Sequence, residues 1–125
     1  MRIFLILIII VLVYLLIHRE KCRKVDIAKV LVRQSSRWAI AAHQDKSPLI
    51  QLLHANYAAG YLWAAKDLVP SKEIERVAGV SIAEFEKRIV NIQDRATSLT
   101  TTTCPQFVGD NDKILLTISG QTYSN

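Results

Sequence analysis

Fifteen consecutive apolar residues, Ile3, Phe4, Leu5, Ile6, Leu7, Ile8, Ile9, Ile10, Val11, Leu12, Val13, Tyr14, Leu15, Leu16 and Ile17, lie at the start of the chain. They give way at once to His18-Arg19-Glu20-Lys21-Cys22-Arg23-Lys24. As a helix the run covers about 23 Å, somewhat less than a hydrocarbon core about 30 Å thick. The stems of Arg2 and Arg19 can lengthen it by snorkelling. A cleaved signal peptide has an apolar core of similar size, but small residues follow that core. Here charges follow, with no Ala-x-Ala. The run has no polar face, which argues against a core helix of a soluble domain. The expectation is a retained membrane anchor over residues 1–20 with a basic collar over 21–26.

Charge sets the expected orientation. Arg2 alone precedes the apolar run, whereas Arg19, Lys21, Arg23 and Lys24 follow it against Glu20. The positive-inside rule then places everything after the anchor on the cytosolic side. The net charge of +5 is unevenly spread: residues 19–37 hold seven basic side chains against Glu20 and Asp26, and residues 38–125 are close to neutral. A neutral head on a basic stem suits lipid headgroups, at about 1 kcal/mol per Lys or Arg near an anionic surface. Arg19, Lys21, Arg23 and Lys24 are the candidate headgroup contacts. No aromatic residues interleave the basic ones between 19 and 37, so no nucleic-acid partner is expected.

Cys22 and Cys104 make no disulfide framework. Cys22 stands where reversible acylation occurs, and an unmodified thiol there is an equally good reading.

Beyond the collar the pattern becomes helical, and residues 27–97 read as a helical module. Ile27, Val30, Leu31, Gln34, Trp38, Ala41 and Ala42 share one side at 100° per residue, with Lys29, Arg33 and Arg37 opposite as a solvated stripe. No Gly or Pro interrupts residues 3–44, so this helix can continue from the anchor. Asp45-Lys46-Ser47-Pro48 is a break and restart, with Ser47 as N-cap and Pro48 at the first helical position. Residues 48–65 carry no charge. They read as a central helix buried on most sides; a second membrane span is disfavoured by Gln51, His54 and Asn56. Ser71 is placed to cap a short helix ended by Gly79. Ser81-Ile82-Ala83-Glu84 is a capping box, with Val80 and Phe85 as its hydrophobic staple. The stripe Ile82, Phe85, Ile89, Ile92 and Ala96 follows, on a helix expected to end near Thr97. Trp38, Leu53, Tyr57 and Trp63 are expected to pack with Phe85, Ile89 and Ile92 in one core.

Residues 98–125 read as linker and tail. Within the tail, Ile114, Leu115, Leu116 and Ile118 form a β-leaning apolar segment that cannot make a sheet alone. It is either a disordered tail or a strand lent to a partner. The expected fold class is all-α: a transmembrane helix, a small helical bundle and an irregular C-terminal tail.

Catalytic groupings are missing from the pattern. His18 belongs to the membrane interface, and His43 and His54 are separated by a helix break, with no Cys or carboxylate at ligand spacing. Asp110-Asn111-Asp112 lacks the Gly and distal Glu of a calcium loop. No Gly-rich phosphate loop or nucleophile elbow occurs. No enzyme, cofactor, metal or small-molecule substrate is therefore expected, and His54 with Asn56 reads as a buried, satisfied polar pair.

The segments Ser36-Arg37-Trp38-Ala39, Ser47-Pro48-Leu49-Ile50, Leu53 through Ala64, Phe85-Glu86-Lys87 and Ile92-Gln93-Asp94 resemble a small single-pass membrane protein family of large icosahedral double-stranded DNA viruses, of the algal-virus and giant-virus kind. The resemblance covers about residues 33–105. It implies a minor capsid protein tethering the shell to the lipid membrane beneath it, with the bilayer and other virion proteins as partners. It brings no catalytic residues. A single-pass adaptor that recruits a cytosolic protein is the alternative.

Overall fold

A computed structural model describes residues 1–107 as four α-helices: α1 (Arg2–Gln44), α2 (Pro48–Leu68), α3 (Ser71–Ala78) and α4 (Ile82–Thr103). A single 3-10 turn follows over Pro105–Phe107, and no strand occurs among the described residues. The all-α expectation holds.

At 43 residues, α1 is about 64 Å long and has no break between the apolar run and the head. Its N-terminal part packs on nothing: residues 3–17 are 43–77 % exposed. This helix is long and apolar enough to cross a membrane, and it alone is so among the described residues.

The C-terminal half of α1 forms the head with the other helices. α2 returns antiparallel to α1, α3 turns the chain, and α4 runs back alongside both. The α1–α2 seam is built from small residues. Ala28, Val32, Ser35, Ala39 and Ala42 are the buried positions of α1, and Ala55, Ala58, Ala59, Leu62 and Ala65 those of α2. Steps of three and four place each set on one face, as in coiled-coil packing, and the short side chains let the axes approach closely. An alanine seam buries little apolar area per residue. The larger contributions come from Leu62, Ile74, Phe85 and Ile89, all buried, at about 1.5–3 kcal/mol for each fully buried large side chain.

Several expectations are corrected. Val30 is 58 % exposed, and the buried face of α1 centres on Ala28 and Ser35 instead. The difference arises because small residues, which a hydrophobicity pattern underweights, mark the close contact. α2 is not buried on most sides: Leu53, Tyr57 and Trp63 are 44, 46 and 40 % exposed. Only Phe85 and Ile89 of the expected core are fully buried, with Trp38 and Ile92 packed at its margin. Lys29, Arg33 and Arg37 are exposed, as expected of a solvated stripe.

The start signals also differ in detail. Ser47 makes no side-chain cap bond, and Ser71 is the first residue of α3, with Pro70 at the cap position. Ser81 does cap α4, its Oγ accepting from the Glu84 N–H at 3.2 Å. The reciprocal half of the box is absent. Glu84 accepts from Arg88 Nη2 at 2.6 Å, and the Ile82 N–H donates to the Glu75 carboxylate at 2.9 Å. Gly79 ends α3 in the left-handed region at φ 73°, where glycine escapes the Cβ penalty.

Residues 98–103 are helical rather than linker. Their hydroxyls bond back along the helix: Thr101 donates to the Thr97 carbonyl at 3.0 Å, Thr102 to Ser98 at 2.7 Å and Thr103 to Leu99 at 2.7 Å. These three hydroxyls are satisfied without leaving the helix. Thr100 is buried and donates to the Pro48 carbonyl at 2.9 Å, pinning the end of α4 to the start of α2.

Candidate functional site

The collar follows the apolar run along one continuous helix. At 100° per residue, Arg19 and Arg23 share one side of the helix and Lys21 and Lys24 nearly the opposite side, a ring of two pairs rather than one basic face. Glu20 engages two of them, Arg23 Nη2 at 2.9 Å and Lys24 Nζ at 4.0 Å. Arg19 and Lys21 have no carboxylate partner among the described residues. Exposed pairs of this kind contribute about 0–1 kcal/mol to stability, so the ring is not explained by holding the helix together. It supplies positive charge where an apolar helix meets polar surroundings. Beside it, Tyr14 and His18 stack at 6.1 Å, and Cys22 is exposed.

The head reaches down to this level. Pro70 and Glu73, at the α2–α3 corner, border a hollow with Leu16, Ile17, Lys21 and Lys24. On another side of α1, Leu68 borders a second hollow with Arg19, Arg23, Ile27 and Leu31. Leu68 is 59 % exposed.

Away from the span, a cleft of about 580 Å³ opens between α1 and α4. Ala39, Ala42 and Ile92 line its floor, and His43, Arg88 and Arg95 its rim. The pattern stripe of α4 ends at Ala96, and the rim arginines fall between its apolar positions. This arrangement can receive an apolar side chain flanked by negative charge. It was not legible beforehand, because His43 and Arg95 come together only through helix packing.

His54 and Asn56 do not form a buried pair. His54 Nδ1 meets the Asp45 carboxylate beside Trp38, whose ring centroid lies 4.9 Å from that of His54. Gln51 Nε2 donates to the Asp45 carbonyl at 2.5 Å. Asn56 is exposed and accepts from Gln93 Nε2 at 2.8 Å. Both residues tie elements together, His54 at the α1–α2 turn and Asn56 between α2 and α4. Among the described residues, no group of three or more His, Cys, Asp or Glu side chains could hold a metal.

The unpaired face of α2 carries Ile50, Leu53, Tyr57 and Leu68, each 38–59 % exposed. Tyr57 packs on Trp38 at 5.1 Å between ring centroids. Ile114, Leu115, Leu116 and Ile118, the candidate partner-binding residues, lie outside the described residues. Compared with protein-family models, curated proteins and solved structures, the chain gives no match in any of the three.

Proposed function

We propose that the protein is a non-enzymatic membrane tether: α1 holds the bilayer, and the head docks on a protein layer beside it. In the form implied by the viral resemblance, that layer is the capsid shell and the protein is a minor capsid component. The observation that carries the reading is the continuity of α1. The same helix supplies fifteen apolar residues at one end and one side of the head's buried seam at the other. A load on the head is therefore transmitted to the anchor through helical hydrogen bonds, with no linker to extend. The exposed apolar residues of α2 provide a docking face of the type that marks interaction sites.

The test is fractionation of infected cells and purified particles. The protein should co-purify with intact particles and stay with their membrane after detergent-free disruption. Removal of residues 106–125 should leave membrane insertion and the helical core intact but weaken incorporation into particles. Absence from purified particles would remove the capsid reading.

The cleft between α1 and α4 favours a second reading, a membrane adaptor that recruits an acidic cytosolic segment. Charge reversal at Arg88 and Arg95 separates the two: it should abolish recruitment by an adaptor and leave a tether built on α2 incorporated as before.

A further inference from the structure

We propose that the α2–α3 corner, Pro70-Ser71-Lys72, lies in the headgroup layer of the membrane that α1 enters, so that the protein touches the bilayer at two places. The inference rests on the reading of residues 3–17 as a membrane span and goes beyond it. Pro70 and Glu73 share a hollow with Leu16 and Ile17, the last two residues of the apolar run. Lys24, on the same hollow, is seven residues further along α1, or about 10 Å. The polar zone of each leaflet is about 5–7 Å deep. A corner that shares a hollow with residues from Ile17 to Lys24 therefore lies within about 10 Å of the hydrocarbon boundary, a span that takes in the whole headgroup layer, if Ile17 marks that boundary.

The chemistry of the corner fits that position. Pro70, Ser71 and Lys72 are exposed. Lys72, like Arg19 and Lys21, has no carboxylate partner among the described residues, whereas Glu73 is paired with Arg76. Asp67 and Glu75 are the nearby carboxylates without a cation partner among the described residues, Glu75 accepting the Ile82 N–H, against the three free cations Arg19, Lys21 and Lys72. Leu68, 59 % exposed, adds an apolar side chain beside Arg19 and Arg23. Free cations with an exposed leucine suit an anionic lipid surface. A second contact would also fix the tilt and azimuth of the head, which a single span leaves free.

The experiment uses the full chain with Cys22→Ser and Cys104→Ser, carrying one fluorophore-labelled cysteine at a time: Val13→Cys in the span, Ser71→Cys at the corner, or Lys46→Cys at the far end of the head. Each is reconstituted into vesicles of phosphatidylcholine and phosphatidylserine. Quenching is read with nitroxides fixed at the headgroup, nitroxides deep in the acyl chain, and iodide in water. The expected result is deep quenching at Val13, headgroup quenching with iodide protection at Ser71, and iodide quenching alone at Lys46. Lys72→Glu should reduce the headgroup quenching at Ser71 and leave Val13 unchanged; no reduction overturns the electrostatic attraction assigned to Lys72. If Ser71 behaves like Lys46 while Val13 is quenched deep, the corner proposal is overturned and the span stands. If Val13 shows no deep quenching, the span reading itself has failed, and the corner proposal falls with it. Protection of Ser71 from both headgroup nitroxide and iodide places a protein surface there, which also overturns the proposal.

Discussion

Ser35 donates its hydroxyl to the carbonyl of Ala58 at 2.8 Å, across the middle of the α1–α2 seam, with both residues fully buried. A polar side chain thus sits among alanines without an unsatisfied atom. The hydroxyl is small enough to keep the helices close and reaches the facing backbone only because they are close.

Replacing Ser35 tests this directly. Ser35→Ala removes the donor but leaves the Ala58 carbonyl in its own helix, so the loss should be about 0.5–1.5 kcal/mol. Ser35→Leu must push the helices apart and should cost more, about 1–3 kcal/mol as for other overpacked cores. Urea titration of the full chain in detergent, followed by tryptophan fluorescence, measures both. Equal stability of the two variants would show that the seam is not tightly packed.

Ile89 and Leu53 make a second contrast, since the hydrophobic pattern assigned both to the core. Ile89 is 2 % exposed and Leu53 44 %. Ile89→Ala should cost about 2–5 kcal/mol, whereas Leu53→Ala should stay near 0.5 kcal/mol, the size of a surface change. If Leu53→Ala instead impairs association with particles at unchanged stability, the exposed face of α2 is the docking surface.

The two glycines of the head should respond with opposite signs. Gly60 lies within α2, and no neighbouring atom stands within 4 Å of an added Cβ. Gly60→Ala should therefore stabilise the helix by up to about 1 kcal/mol through propensity alone. Gly79 also has room for a Cβ, but its φ of 73° is left-handed. Gly79→Ala should cost about 1–2 kcal/mol. Thermal unfolding in one detergent ranks the three proteins; a stabilised Gly79→Ala would contradict the αL end of α3.

Protease accessibility checks the orientation set by the collar. Protease added from the cytosolic side of microsomes should degrade the head and spare the span. A head that survives this treatment and is cut only after the membrane is opened would reverse the topology.

How much of this was readable beforehand depended on the scale of the signal. The apolar run, the Ser47-Pro48 restart, the Gly79 stop and the Ser81 cap are local patterns with local causes, and all lie at helix boundaries or in the helix they announce. The stripe Phe85, Ile89 and Ala96 was readable because large side chains alternate with charge. The seam was not, because alanine and serine are nearly neutral in any hydrophobic pattern, and their value comes from the facing helix. Likewise residues 97–103 have no period and lead into Cys104-Pro105, so they read as linker, whereas the Thr100–Pro48 hydrogen bond, which no local pattern announces, ties them to α2 as the end of α4. The rim of the α1–α4 cleft joins His43 to Arg95, far apart in sequence, and no spacing rule links them.

The uninterrupted α1 makes the head's position above the bilayer a matter of counting residues. Adding one residue between His18 and Asp26 would raise the head by about 1.5 Å and swing it by about 100°. Adding seven would raise it by about 10 Å while nearly restoring its facing. Height and compass bearing are therefore geared together, and only steps close to a whole number of turns, such as seven or eleven residues, change the stand-off without turning the head. Such a chain tolerates length changes in its stem in quanta, whereas a flexible linker would tolerate them continuously.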